Sequence, residues 1–131
     1  MSLQAARFTQ ETESRSQLRL PKPFLVTPLQ TTALTIYTAL ESTDFRIEHL
    51  WVSNVTGSAA TFDLYQVPDG GTAATANALV YQESVAANTS KVVEVAKGHL
   101  LQPETILQAL CSSNNAINLG GWGYDILGEY G

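Results

Sequence analysis

Two histidines, one cysteine and twelve acidic residues are the side chains on which acid–base, nucleophilic or metal chemistry could be built. His49 falls inside an alternating apolar segment and His99 at the edge of a loop. Neither has a second ligand at metal-binding spacing, and lone histidines are more often packed or solvated than catalytic. The single cysteine excludes an internal disulfide framework and a cysteine-based zinc site. Cys111 closes the run Ile106-Leu107-Gln108-Ala109-Leu110-Cys111, which reads as a buried strand with a small sulfur-bearing core residue at its end. There is no phosphate-cradling glycine loop and no nucleophile elbow, and no helix pattern follows Gly120-Gly121-Trp122-Gly123. Glu41 and Asp44 share the turn Glu41-Ser42-Thr43-Asp44, and Asp69 sits in Pro68-Asp69-Gly70-Gly71. Two carboxylates in a turn can hold calcium, but this spacing matches no EF-hand loop, so they read as solvated loop charges. The expectation is a chain with no catalytic residue, no bound metal and no cofactor. Trp51, Trp122, Tyr65 and Tyr81 could stack on sugars, although aromatics at alternating strand positions more often belong to a core.

The elements that carry these residues follow a period of two. Strands are expected at Leu34–Ala39, Phe45–Asn54, Thr61–Val67, Leu79–Val85, Ser90–Val95, a short Gly98–Leu101, Thr105–Ser112 and Ala116–Leu127. Phe45, Ile47, His49 and Trp51 share one face of the second segment. Its other face begins with Arg46 and Glu48 and turns apolar at Leu50 and Val52. Gly, Pro or Asn separates the segments, and none of them has a helical period. Short strands at such regular spacing indicate an all-β, antiparallel sandwich or jelly-roll-like body. Glycines inside the last strand suggest a bulge or a close backbone approach.

Composition divides the chain at about residue 31. Residues 32–131 hold all nine glycines, and residues 1–31 hold four of the seven basic residues. The first segment carries four basic and two acidic residues, a net +2, and the body three basic and ten acidic, a net −7. An acidic body disfavours nucleic acid and anionic membrane as partners, since both are polyanions. No apolar run approaches the ~20 residues of a membrane helix, and the first residues lack the apolar region of a signal peptide. A soluble product made in the cytoplasm is expected. Residues 1–31 therefore read as an N-terminal arm, extended or partly helical, ahead of a β-sandwich domain at 32–131. Pro21, Pro23 and Pro28 force its second half to be extended. Phe8, Leu18, Leu20, Phe24, Leu25 and Val26 are its apolar anchors. Ordering such an arm costs roughly 1–2 kcal/mol per residue in backbone entropy, so a partner surface must compensate.

The body's progression resembles the small all-β virion proteins of tailed bacteriophages and related phage-like particles. That progression is Leu34–Ala39, Ile47–Asn54, Ala59–Tyr65, the Pro68–Gly71 loop, Val85–Thr89 and Ile106–Ala109. The resemblance covers about residues 33–127 and carries over no catalytic residue. It implies a non-enzymatic virion subunit, a capsid decoration or cement protein held by its arm. The implied partners are major capsid or other virion proteins and further copies of the chain. A neck, tail or fibre-base component is the alternative within that class. A glycan- or host-surface-binding module, using Trp51, Tyr65, Tyr81 or the loop containing Asp69, Gly70 and Gly71, is the alternative outside it.

Overall fold

The computed structural model describes residues 18–127. Among them lie nine strands: β1 (Leu18–Pro28), β2 (Leu34–Thr38), β3 (Asp44–Asn54), β4 (Ala60–Val67), β5 (Ala78–Val85), β6 (Ser90–Val92), β7 (Leu100–Leu101), β8 (Ile106–Cys111) and β9 (Ile117–Leu127). Single 3-10 turns occupy Thr75–Asn77 and Glu94–Ala96, the second where the sequence predicts a strand continuing to Val95. The strands form two antiparallel sheets, in the orders β1-β9-β3-β6 and β2-β8-β4-β5, with the two-residue β7 beside β3. Most strands adjacent in sequence lie in different sheets, as in a jelly roll.

The expected division at residue 31 does not coincide with the start of the sandwich. β1 pairs with β9 along its whole length, from Leu18 opposite Leu127 to Pro28 opposite Asn118. Phe24 is 6% exposed and Leu29 fully buried. The Phe24 ring centroid is 5.7 Å from that of Phe45 and 6.1 Å from that of Tyr37. Phe24 is thus a core residue and not a free anchor. Prolines do not prevent this pairing because, among the described residues, β1 is an edge strand, with no ladder to complete on its other side. Phe8 lies outside the described residues.

Between the sheets, Phe45, Ile47, Leu50 and Val52 of β3 meet Phe62 and Leu64 of β4, Leu107 and Ala109 of β8, and Ile117 and Leu119 of β9. The spacing on β3 is not a uniform two. Its register with β9 shifts between Ile47 and His49, so Glu48 is the extra residue of a β-bulge. Beyond the bulge the inward positions move to Leu50 and Val52, and His49 and Trp51, expected on the Phe45 face, turn to the outer surface.

Gly120, Gly121 and Gly123 justify their place in β9 by close approaches. A Cβ on Gly120 would lie 2.5 Å from the Trp51 indole, and one on Gly123 would meet the Phe45 ring and the Arg46 carbonyl. Gly121, at φ +150°, would drive a Cβ into the His49 carbonyl oxygen. These contacts let β3 and β9 lie under large rings without spreading.

Candidate functional site

Three kinds of side chain outside the apolar core could carry function. They are the buried carboxylates, the histidines and the exposed apolar surface.

Asp125 is fully buried. Tyr37, on the opposite sheet, donates its hydroxyl to Asp125 Oδ1 at 2.8 Å, and Lys22 Nζ of β1 lies 3.6 Å from Oδ2. This arrangement ties three strands at one end of the sandwich. Desolvation, then the neighbouring carboxylate, pushes the Tyr37 hydroxyl far above its ordinary range. Asp63, on β4, accepts the Tyr65 hydroxyl at 2.6 Å and the Gln82 backbone N–H at 2.8 Å. Burial, then that hydrogen bond, raises Tyr65 to about 12. Asp63 thus has a donor on each oxygen, whereas the buried Asp125 Oδ2 has no hydrogen bond and faces only the Lys22 ammonium. No group of three possible metal ligands occurs among the described residues.

The two tyrosines predict an alkaline limit to stability. Both have folded-state values above the ordinary 10.0, so folding favours the protonated phenol. Their contribution is complete below pH 10 and is lost as pH rises through the raised values. The melting temperature is expected to fall steeply above pH 10, and Tyr65→Phe should flatten that fall. An unchanged alkaline slope in the variant would remove Tyr65 from the account.

His99 Nε2 lies 2.6 Å from Gln66 Oε1. The contact links the β7 region to β4, and desolvation lowers the imidazole below its ordinary value. His49 occupies the outer sheet face. The structure does not bring the two histidines into one cluster. Cys111 is buried, with its thiol 2.9 Å from the Ser113 carbonyl. Gly71 N donates to the Pro68 carbonyl at 2.8 Å, closing a tight turn that presents Asp69 and Gly70 to solvent. Tyr65 is buried and Tyr81 exposed on β5, so the aromatics proposed for stacking do not form one group.

What the structure does bring together is the outer face of the β1-β9-β3-β6 sheet. By register, Pro21, Tyr124 and Arg46 form one row, and Pro23, Trp122 and His49 the next. Gly120, Trp51 and Val92 follow, and then Pro28, Asn118, Ser53 and Ser90. Trp122 is 41% exposed and its ring centroid lies 6.2 Å from that of Tyr124. Arg19 covers the Tyr124 ring at 5.1 Å and donates to its hydroxyl at 3.3 Å, which explains why this outward tyrosine is buried. Trp122 and Tyr124 alternate with the inward Gly123 and Asp125, a period-two signal present in the sequence. Trp51 joins them only through the bulge.

Along the edge of this sheet, β1 has a bulge between Phe24 and Thr27. Leu25 at the bulge is 79% exposed, and Leu18, Leu20 and Val26 are exposed with it. Four of the six expected anchors therefore lie on the surface. Pro21, Pro23 and Pro28 remove three backbone donors from this edge strand, which opposes addition of a further strand. A partner here must meet side chains.

No helix among the described residues is long and apolar enough to cross a membrane. No protein-family model matches this sequence, and no curated protein matches it. Two solved structures are similar to it. A chain of the T13 IBDV viral particle is 11% identical, with a TM-score of 0.52, the match covering 86% of this chain and 31% of that one. A chain of the infectious bursal disease virus VP2 subviral particle is 13% identical, with a TM-score of 0.43, covering 86% of this chain and 33% of that one. This chain thus spans about a third of the length of the viral chains it matches. The first likeness is one of fold: a jelly-roll sandwich that a viral particle also uses.

Proposed function

We propose that this protein is a non-enzymatic structural subunit of a phage or phage-like virion, a capsid decoration or cement protein attached through its N-terminal region. The observation that carries the reading is the exposed apolar edge of β1, with Leu25 and Val26 at its bulge and Leu18 and Leu20 toward its start. Apolar side chains grouped on an edge that its prolines close to strand pairing suit a fixed contact with a neighbouring subunit. The sandwich shared with a viral-particle chain supports the same class. The engagement of Asp63 on both oxygens, and of Asp125 by Tyr37 of the opposite sheet, favours a scaffold over a reaction centre. Phe24 leaves the contact set because it serves the core, whereas Leu18, Leu20, Leu25 and Val26 remain in it.

The test is cosedimentation with virions stripped of this protein. The wild-type chain should bind shells saturably. The Leu25→Asp/Val26→Asp pair, both exposed, should keep its melting temperature and bind roughly tenfold or more weakly, since two charges must then be desolvated at the contact. Equal binding by the pair would overturn attachment through β1. Binding confined to isolated tails would replace decoration with the neck, tail or fibre-base alternative.

A further inference from the structure

We propose that the outer face of the β1-β9-β3-β6 sheet binds a neutral pyranose oligosaccharide, stacked on Trp51 and Trp122. Three features point to that chemistry rather than to an apolar protein patch.

The first is the posture of Trp51. A Cβ on Gly120 would touch three atoms of the benzenoid half of the indole, Cζ2, Cε2 and Cη2, at 2.5, 2.8 and 3.2 Å. The benzenoid part of the ring therefore packs directly on β9 at Gly120, and the half-buried indole lies on the outer face of the sheet. An indole face carries the negative pole of its quadrupole, to which the axial C–H groups of a pyranose are complementary. Trp122, 41% exposed, is the more accessible of the two rings.

The second is the position of Trp122. Trp51 stands opposite Gly120 and Trp122 opposite His49, so the two indoles are diagonal cross-strand neighbours, on the order of 7–8 Å apart at the backbone. Both indoles thus stand on one face, near enough for a single oligosaccharide to span them. Pro23 stands opposite Trp122 on the other side, and its fixed φ stiffens that flank.

The third is the charge and hydrogen-bonding character of the surround. No carboxylate, lysine or arginine occupies an outward position in the rows from Pro23–Trp122–His49 to Pro28–Asn118–Ser53–Ser90. The nearest charges, Arg19 over Tyr124 and Arg46 opposite it, with Glu48 at the bulge, lie at one end of this face and outside these rows. Hydrogen-bonding capacity is instead neutral. Ser90 Oγ donates to Ser53 Oγ at 2.8 Å beside Trp51, and Asn118 and His49 lie in adjoining rows. Hydroxyls, an amide and an imidazole around an aromatic step match a ligand with apolar faces and hydroxylated edges. Within these rows no cation is available to pair with a sulfate, a sialate or a phosphate, so the anionic probes test whether Arg19 and Arg46 at the end of the face capture the ligand instead.

The chain's two tryptophans are the two residues assigned to stacking, so their fluorescence reports directly. Cellohexaose, mannohexaose and chitohexaose should be titrated against the full-length protein, with a heparin hexasaccharide and sialyllactose as anionic probes. At least one neutral hexamer is expected to change the emission saturably, with matching saturation-transfer signals from sugar protons. Trp122→Ala, at an exposed position, should weaken that binding roughly tenfold, about the loss of one stacking contact, with an unchanged melting temperature. Trp51→Phe, which keeps a ring over Gly120, should retain part of it. The proposal is overturned if no neutral hexamer binds, if only the anionic probes bind, or if Trp122→Ala binds as the wild type does. It is also overturned if sedimentation shows self-association that Trp122→Ala abolishes. These outcomes are independent of the shell-binding test, which turns on Leu25 and Val26.

Discussion

A chain carrying both Phe24→Ala and Leu29→Ala is expected not to fold at room temperature. Phe24 packs against the Phe45 and Tyr37 rings, and Leu29 is fully buried, with its backbone N–H donated to Ile117 O at 2.8 Å. Truncating a buried Phe costs about 3–5 kcal/mol and a buried Leu about 2–5. Together these are of the order of a small domain's whole stability, about 5–15 kcal/mol. The sites are close enough to couple, so the sum is an upper range. Each single variant should fold with a clearly lowered denaturant midpoint. The double variant should give the circular dichroism of an unfolded chain. A double variant melting within a few degrees of wild type would return the start of the sandwich to residue 32.

Gly121→Ala should be as damaging with a single methyl. At φ +150° an L side chain is strained, and the added carbon would collide with the His49 carbonyl and lie 2.9 Å from the Leu50 Cα. Neither obstacle is a flexible side-chain tip. Relief requires β3 and β9 to separate beside the bulge, where the core residues Ile47 and Leu50 are anchored. A loss exceeding about 4 kcal/mol is expected, in the range that marks a specific steric cause. Gly57→Ala is the control, because nothing lies within 4 Å of where its methyl would stand. Equal melting temperatures for the two variants would show that the close approach at Gly121 relaxes freely.

The body's strands were legible because local signals agree there: alternating apolar residues, then Gly, Pro or Asn. The Leu50 and Val52 switch on β3 was visible as a pattern. Its cause, an extra residue at Glu48, was not, because a bulge is defined by the partner strand. β1 was the larger omission. Pro21 and Pro23 argue against an interior strand, and only the pairing with β9, about a hundred positions away in sequence, shows that the strand is an edge. The same distance hid the Tyr37–Asp125 bond and the row formed by Pro23, Trp122 and His49. In the sequence Leu18, Leu20, Leu25 and Val26 stand in one apolar set with Phe24, and only the sheet separates the buried Phe24 from the four exposed side chains.

The register of β1 against β9 also has a mechanical consequence. Leu18 stands opposite Leu127, the outermost rung among the described residues, so tension applied between those two points loads that rung first and peels the pair open one hydrogen bond after another. Tension applied between the Leu25–Val26 bulge and the far strands instead runs along β1 and loads its rungs in parallel. A subunit gripped at the bulge would resist detachment by shear, whereas one pulled by its paired ends would unzip at low force.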